Sequence, residues 1–120
     1  MGKIEKFQQL EVWQKGHQLV LAVYRMTKMF PDDEKYGLVS QMRRAAVSVP
    51  ANIAEGFKRR GKPDKIRFYN ISETSLEELK YYLILSKDLN YVDDTSALMT
   101  NAETISRMLY RLIASINQKS

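Results

Sequence analysis

The sequence contains no cysteine, one histidine and one tryptophan, and only five glycines and three prolines in 120 residues. Without cysteine there is no disulfide framework, no thiolate zinc site and no thiol nucleophile. So few turn formers exclude an all-β sandwich or barrel. The single histidine, His17, cannot supply the paired Glu-x-x-His motifs of a ferritin-like di-iron bundle, and Gln14 stands where one glutamate would be needed. The longest uninterrupted apolar run, Leu19–Tyr24, is six residues, against the ~20 of a membrane-spanning helix. The opening MGKIEKFQQL has no apolar h-region, and Lys6 stands where a myristoylation signal needs Ser or Thr. No Walker loop, GxSxG elbow or kinase set is found. The expectation is a soluble, cytoplasmic protein that is not an enzyme, with no cofactor, no bound metal and no membrane contact.

What is present is ordinary globular composition, 44% hydrophobic and 28% charged, compatible with one packed core. At this length a single domain over residues 1–120 is expected. Three short breaks divide it: Phe30-Pro31-Asp32-Asp33, Gly56 to Pro63, and Asn90 to Asp94. They separate four segments of helical length, at about 10–29, 34–58, 63–89 and 94–116.

In the first segment Leu10, Trp13, Val20, Val23 and Thr27 recur at helical spacing, and Pro31 stops the helix. In the second, Leu38, Met42, Ala45, Val49 and Ile53 form one face. Pro50 removes a backbone donor there and should kink the helix or divide it. In the third, Pro63 suits the first turn, and Phe68, Ser72, Leu76, Leu79, Leu83 and Ser86 make the core stripe. Asp93 or Asp94 can cap the fourth. There Leu98, Ala102, Ile105, Leu109, Leu112 and Ile116 form a heptad seam. The fold class is all-α: an antiparallel up-down-up-down four-helix bundle, with its second helix kinked at Pro50.

Two of these helices carry more apolar surface than one core needs. Tyr81-Tyr82-Leu83-Ile84-Leu85 is apolar on all sides, as is Leu19–Tyr24. With Phe68 facing the core, Tyr81, Ile84 and Leu85 point elsewhere, so they are candidates for an interface between subunits. A kinked second helix that wraps its neighbours is the competing account. Beside the core, Gln41, Arg44, Ser48, Asn52 and Glu55 form a polar band. Arg44, Asn52 and Glu55 are read as interface candidates, with a buried polar network or a solvated edge left open.

The run from LEVWQKG through FPDDEKYGLVSQMRRAAVSVPANIAEGFKRR to FYNISETSLEELKYYLILSKDLNYV closely resembles a bacterial four-helix-bundle family. Its founding members are encoded in intervening sequences of 23S rRNA genes. The resemblance covers about residues 7–116. It implies an antiparallel bundle that assembles into a ring-shaped homopentamer, and no enzymatic activity. Relatives include the accessory protein of diversity-generating retroelements, a basic pentamer that binds nucleic acid and a reverse transcriptase.

The net charge is +5 and uneven. From Arg43 to Arg67 there are eight basic residues and two acids, a surplus of +6 that exceeds the whole chain's. The surplus is therefore expected at one end of the bundle, mostly in FKRRGKPDKIR. Lys58, Arg59 and Arg60 suit a helix C-terminus, whereas Lys62, Lys65 and Arg67 open the next helix, where positive charge is disfavoured. These six residues are the candidate RNA- or DNA-binding set, phosphate being the ligand. A solvated loop kept charged for solubility is the alternative. No RNA-binding fold signature is present, so binding without sequence preference is the expectation. The remaining alternative is a protein-binding scaffold or accessory subunit with a different protein partner and no nucleic-acid role.

Overall fold

Proline, glycine and a few local side-chain bonds set where the helices stop. The computed structural model describes residues 2–119. It contains α1 (Glu11–Thr27), α2 (Leu38–Lys58), α3 (Lys62–Asp88) and α4 (Ser96–Asn117), with short 3-10 turns at Phe7–Gln9 and Asp32–Glu34. Each helix packs on its chain neighbours, and α4 closes against α1. The result is the expected all-α four-helix bundle, 49 × 27 × 22 Å in extent. Among the described residues, no helix is long and apolar enough to cross a membrane.

Helix ends depart from the sequence reading for local reasons. At the end of α1, the Thr27 hydroxyl donates back to the Val23 carbonyl at 2.8 Å. The next two residues then turn in 3-10 fashion, Met29 N–H on Met26 and Phe30 N–H on Thr27, before Pro31. Glu34 belongs to a separate turn, not to α2. Its carboxylate accepts the Leu38 N–H at 3.1 Å and so caps α2 from outside. Gly37 makes this possible, since a Cβ there would lie 2.9 Å from that same oxygen. The other Glu34 oxygen accepts the Tyr91 hydroxyl at 2.8 Å, tying the α1–α2 loop to the α3–α4 loop. α3 ends with Asn90 at φ 63°. Tyr91 N–H returns to Ser86 and Asn90 N–H to Lys87, the paired bonds of a Schellman stop. Asp94 accepts the Ser96 N–H at 2.9 Å at the start of α4. α2 runs unbroken through Pro50, so the helix is not divided there.

The core matches the expected faces of α2 and the middle of α4. Leu38, Met42, Ala45, Val49 and Ile53 are buried, as are Ala102, Ile105 and Leu109, while Leu98, Leu112 and Ile116 are half-buried. Two corrections apply elsewhere. On α1 the buried line is Val12, Gly16, Leu19, Val23 and Thr27. Leu10, Trp13 and Val20 only flank it. Gly16 lets α1 approach α2 closely, since a Cβ there would meet Val49 at 3.4 Å and Pro50 at 3.6 Å. Trp13 is displaced to the rim, between Phe7 and His17. On α3 the core aromatic is Tyr69, not Phe68. Gly56 decides this: a Cβ there would stand 2.6 Å from the Tyr69 ring. Burial pushes the Tyr69 hydroxyl above the usual tyrosine pKa. The buried serines of α3 are satisfied, with Ser72 on the Val49 carbonyl at 2.8 Å and Ser86 on the Tyr82 carbonyl at 2.7 Å, whereas the buried Ser106 hydroxyl on α4 has no partner among the described residues.

Candidate nucleic-acid interface and apolar surface

A helix C-terminus exposes carbonyls that attract donors and cations. In this bundle three helix ends are met by a basic residue from elsewhere in the chain. Arg43 of α2 donates to the Thr27 hydroxyl at 3.0 Å and to the Tyr24 carbonyl at 3.5 Å, closing α1. Lys65 of α3 donates to the Gly56 and Phe57 carbonyls at 3.0 and 2.9 Å, closing α2. Lys62 of α3 donates to the Asn117 carbonyl at 3.5 Å and to the Lys119 carbonyl, closing α4.

The six candidate phosphate-binding residues therefore fall into three kinds. Lys62 and Lys65 do open α3, but their ammonium groups reach the carbonyl ends of other helices. Desolvation, and secondarily Lys119, holds the Lys65 pKa below the usual lysine value. Arg59 and Arg67 both lie over the Phe68 ring, 4.7 and 4.5 Å from its centre. Each also meets a carboxylate, Arg59 on Glu55 at 3.0 Å and Arg67 on Asp64 at 3.4 Å. Lys58 and Arg60 are exposed and make no hydrogen bond or ion pair among the described residues.

Most of the basic surplus is at the α2–α3 end, as expected, but not all of it, which corrects part of the charge map. Arg43 and Arg44 lie near the start of α2, about 22 Å along the helix from Lys58 at 1.5 Å per residue. They border a second feature that the sequence reading did not single out. This is an open groove of about 640 Å³ between α1, α2 and the loop joining them. Lys35, Arg43 and Arg44 line it together with Tyr24, Tyr36 and Ser40, and no lining residue is acidic. Tyr36 is 89% exposed. The Arg43 guanidinium lies 4.4 Å from the centre of the Tyr24 ring. The sequence signal was present in Lys35-Tyr36-Gly37 and Arg43-Arg44, which the structure brings to one end of α2.

Of the interface candidates, Tyr81 and Ile84 are exposed, at 57% and 50%. Leu85 is half-buried and packs on the core, contrary to the placement derived from Phe68. The polar band is partly a network. Asn52 donates to the Ser48 carbonyl and hydroxyl at 2.8 and 2.9 Å, and Ser75 of α3 donates to the Ser48 hydroxyl at 2.8 Å. Asn52 is thereby occupied within the bundle, Glu55 is paired with Arg59, and Arg44 faces outward. His17 stacks on Trp13 with its ring 5.2 Å away. Glu73 is half-buried, and its pKa is raised by desolvation and then by Glu77.

An all-α four-helix bundle with cations displayed near both ends of its second helix is the class these features define. The chain belongs to the 23S rRNA-intervening sequence protein family, whose model matches residues 8–111. A crystal structure of a protein of unknown function from the S23 ribosomal protein family of Bacteroides thetaiotaomicron superposes with a TM-score of 0.78. It is 22% identical, over 85% of this chain and 97% of that one, and the likeness concerns the fold. No curated protein matches the chain.

Proposed function

We propose that the protein is a non-enzymatic, homo-oligomeric helical bundle whose basic surface holds RNA or DNA in the cytoplasm without reading sequence. The pentameric count comes from the family resemblance. The observation that carries the nucleic-acid reading is charge without counter-charge: Lys58 and Arg60 are exposed and pair with no carboxylate among the described residues. A polyanion that displaces counterions is the ligand such cations suit. Self-association is supported by Tyr81 and Ile84, large apolar side chains left on the outer surface of α3.

The test is fluorescence anisotropy with a labelled oligouridylate across a salt series. Binding should weaken steeply with salt, and Lys58→Gln with Arg60→Gln should weaken it further without altering the particle mass. Binding that ignores salt contradicts this reading. The second reading, a protein-binding scaffold, draws on the same exposed Tyr81 and Ile84. Capture of a protein partner after nuclease treatment by a chain that is monomeric alone would favour it.

A further inference from the structure

Most of the cations in FKRRGKPDKIR are engaged by the chain's own groups, on carbonyls, on carboxylates or against Phe68. The α1–α2 groove is different. Lys35 and Arg44 are exposed there, with no hydrogen bond or ion pair among the described residues. Arg43 is held in place by Thr27 and the Tyr24 ring, so one cation of the three is already ordered. Asp32 and Asp33 precede the groove on the 3-10 turn but do not line it, and both oxygens of Glu34 are taken by Leu38 and Tyr91. Positive charge therefore stands unanswered along one wall.

Aromatic rings stand beside these cations. Tyr36 projects almost entirely into solvent, with the Lys35 ammonium 5.5 Å from its ring centre. Every nucleobase offers a flat face, and stacking on such a ring needs no sequence match. The Ser40 hydroxyl adds a donor to the lining. A space of about 640 Å³ lies within the range of sites that take drug-sized ligands.

We infer that this groove is a binding site for single-stranded nucleic acid, with Lys35, Arg43 and Arg44 on phosphates and Tyr36 stacked on a base. The inference rests on the nucleic-acid reading above, but it places the principal contact at the α1–α2 end and not in residues 58–67. It also takes Arg44 for the nucleic-acid surface and away from the subunit interface.

The experiment uses the full chain and a fluorescein-labelled oligouridylate, read by anisotropy over a salt series, with particle mass followed by light scattering. Three variants are compared: Lys35→Gln with Arg44→Gln, Tyr36→Leu, and Lys58→Gln with Arg60→Gln. All five positions are exposed, and circular dichroism confirms that each variant folds. The double groove variant should weaken binding tenfold or more, and lower the log–log salt slope by about 1.4 per subunit engaged. Tyr36→Leu should weaken binding about tenfold and leave that slope unchanged, because stacking releases no counterion. If the native chain binds and only the Lys58 and Arg60 variant matters, the groove is wrong while the broader reading stands. If the native chain binds no strand at all, that broader reading falls and takes the groove with it. A drop in particle mass on changing Lys35 and Arg44 would identify the groove as a contact between copies, which also overturns the assignment.

Discussion

Replacing Lys65 with methionine separates a structural cation from a ligand-binding one. The Lys65 ammonium donates to two carbonyls at the end of α2, at 3.0 and 2.9 Å. Methionine keeps most of the stem and removes both donors. Hydrogen bonds from a charged donor contribute roughly 1.5–3 kcal/mol each, net of the water they replace. Two terms reduce that. Both bonds share one partly solvated ammonium and so do not add in full, and fixing a lysine side chain costs up to about 2 kcal/mol of rotamer freedom. A net loss of about 1–2 kcal/mol is expected. For a chain of this size that is roughly a 3–10 °C fall in Tm, read by circular dichroism during heating and checked by urea titration. Oligouridylate affinity in the same preparation should change less than twofold. The reasoning is refuted if Lys65→Met leaves Tm untouched while weakening nucleic-acid binding as strongly as the Lys58 and Arg60 changes do.

Other consequences are equally direct. Gly56→Ala should destabilise the fold by about 1 kcal/mol in a urea melt: the new methyl meets the Tyr69 ring at 2.6 Å, an overpacking cost of about 1–3 kcal/mol. Alanine's better helix propensity returns up to ~1 kcal/mol, so a stabilised variant would show that α2 and α3 are not in close contact there. Tyr91 has its pKa raised, first by its hydrogen bond to Glu34. The stability it contributes is fully present below the ordinary tyrosine pKa and lost as pH rises through the raised one. Tyr91→Phe should therefore be less stable than the native chain near neutrality, and the difference should shrink at alkaline pH. A gap that persists there would sink this account of the loop–loop tie. Leu76→Ala, at a fully buried position of α3, should cost about 2–5 kcal/mol by chemical denaturation.

How much of this was legible beforehand depended on what kind of neighbour each residue had. The α2 face and the centre of the α4 seam read correctly because steps of three and four report burial whatever lies opposite. On α1 the true line passes through Gly16, which carries no hydrophobic signal; its role appears only when Val49 and Pro50 are seen against it. Phe68 and Tyr69 are adjacent aromatics about 100° apart on α3, and the choice between them belongs to Gly56 on another helix. The error carried forward, since Leu85 was placed by rotation from Phe68.

The charge map was incomplete for a related reason. Lys62 and Lys65 look like unfavourable cations at a helix start, yet their partners are carbonyls contributed by the ends of α4 and α2. Those partners are backbone atoms, and backbone atoms leave no mark in a sequence. Arg43 and Arg44 were counted with Lys58 because they are near it in the chain, although one unbroken helix carries them far apart.

Self-association underlies the proposed role, because an assembled particle repeats each cationic surface around itself. Light scattering on the purified protein in dilute buffer tests it most directly. The account predicts a mass that is a multiple of 14.0 kDa, and a return towards that value when Ile84 is changed to Asp. A native protein that stays at 14.0 kDa across its concentration range contradicts it.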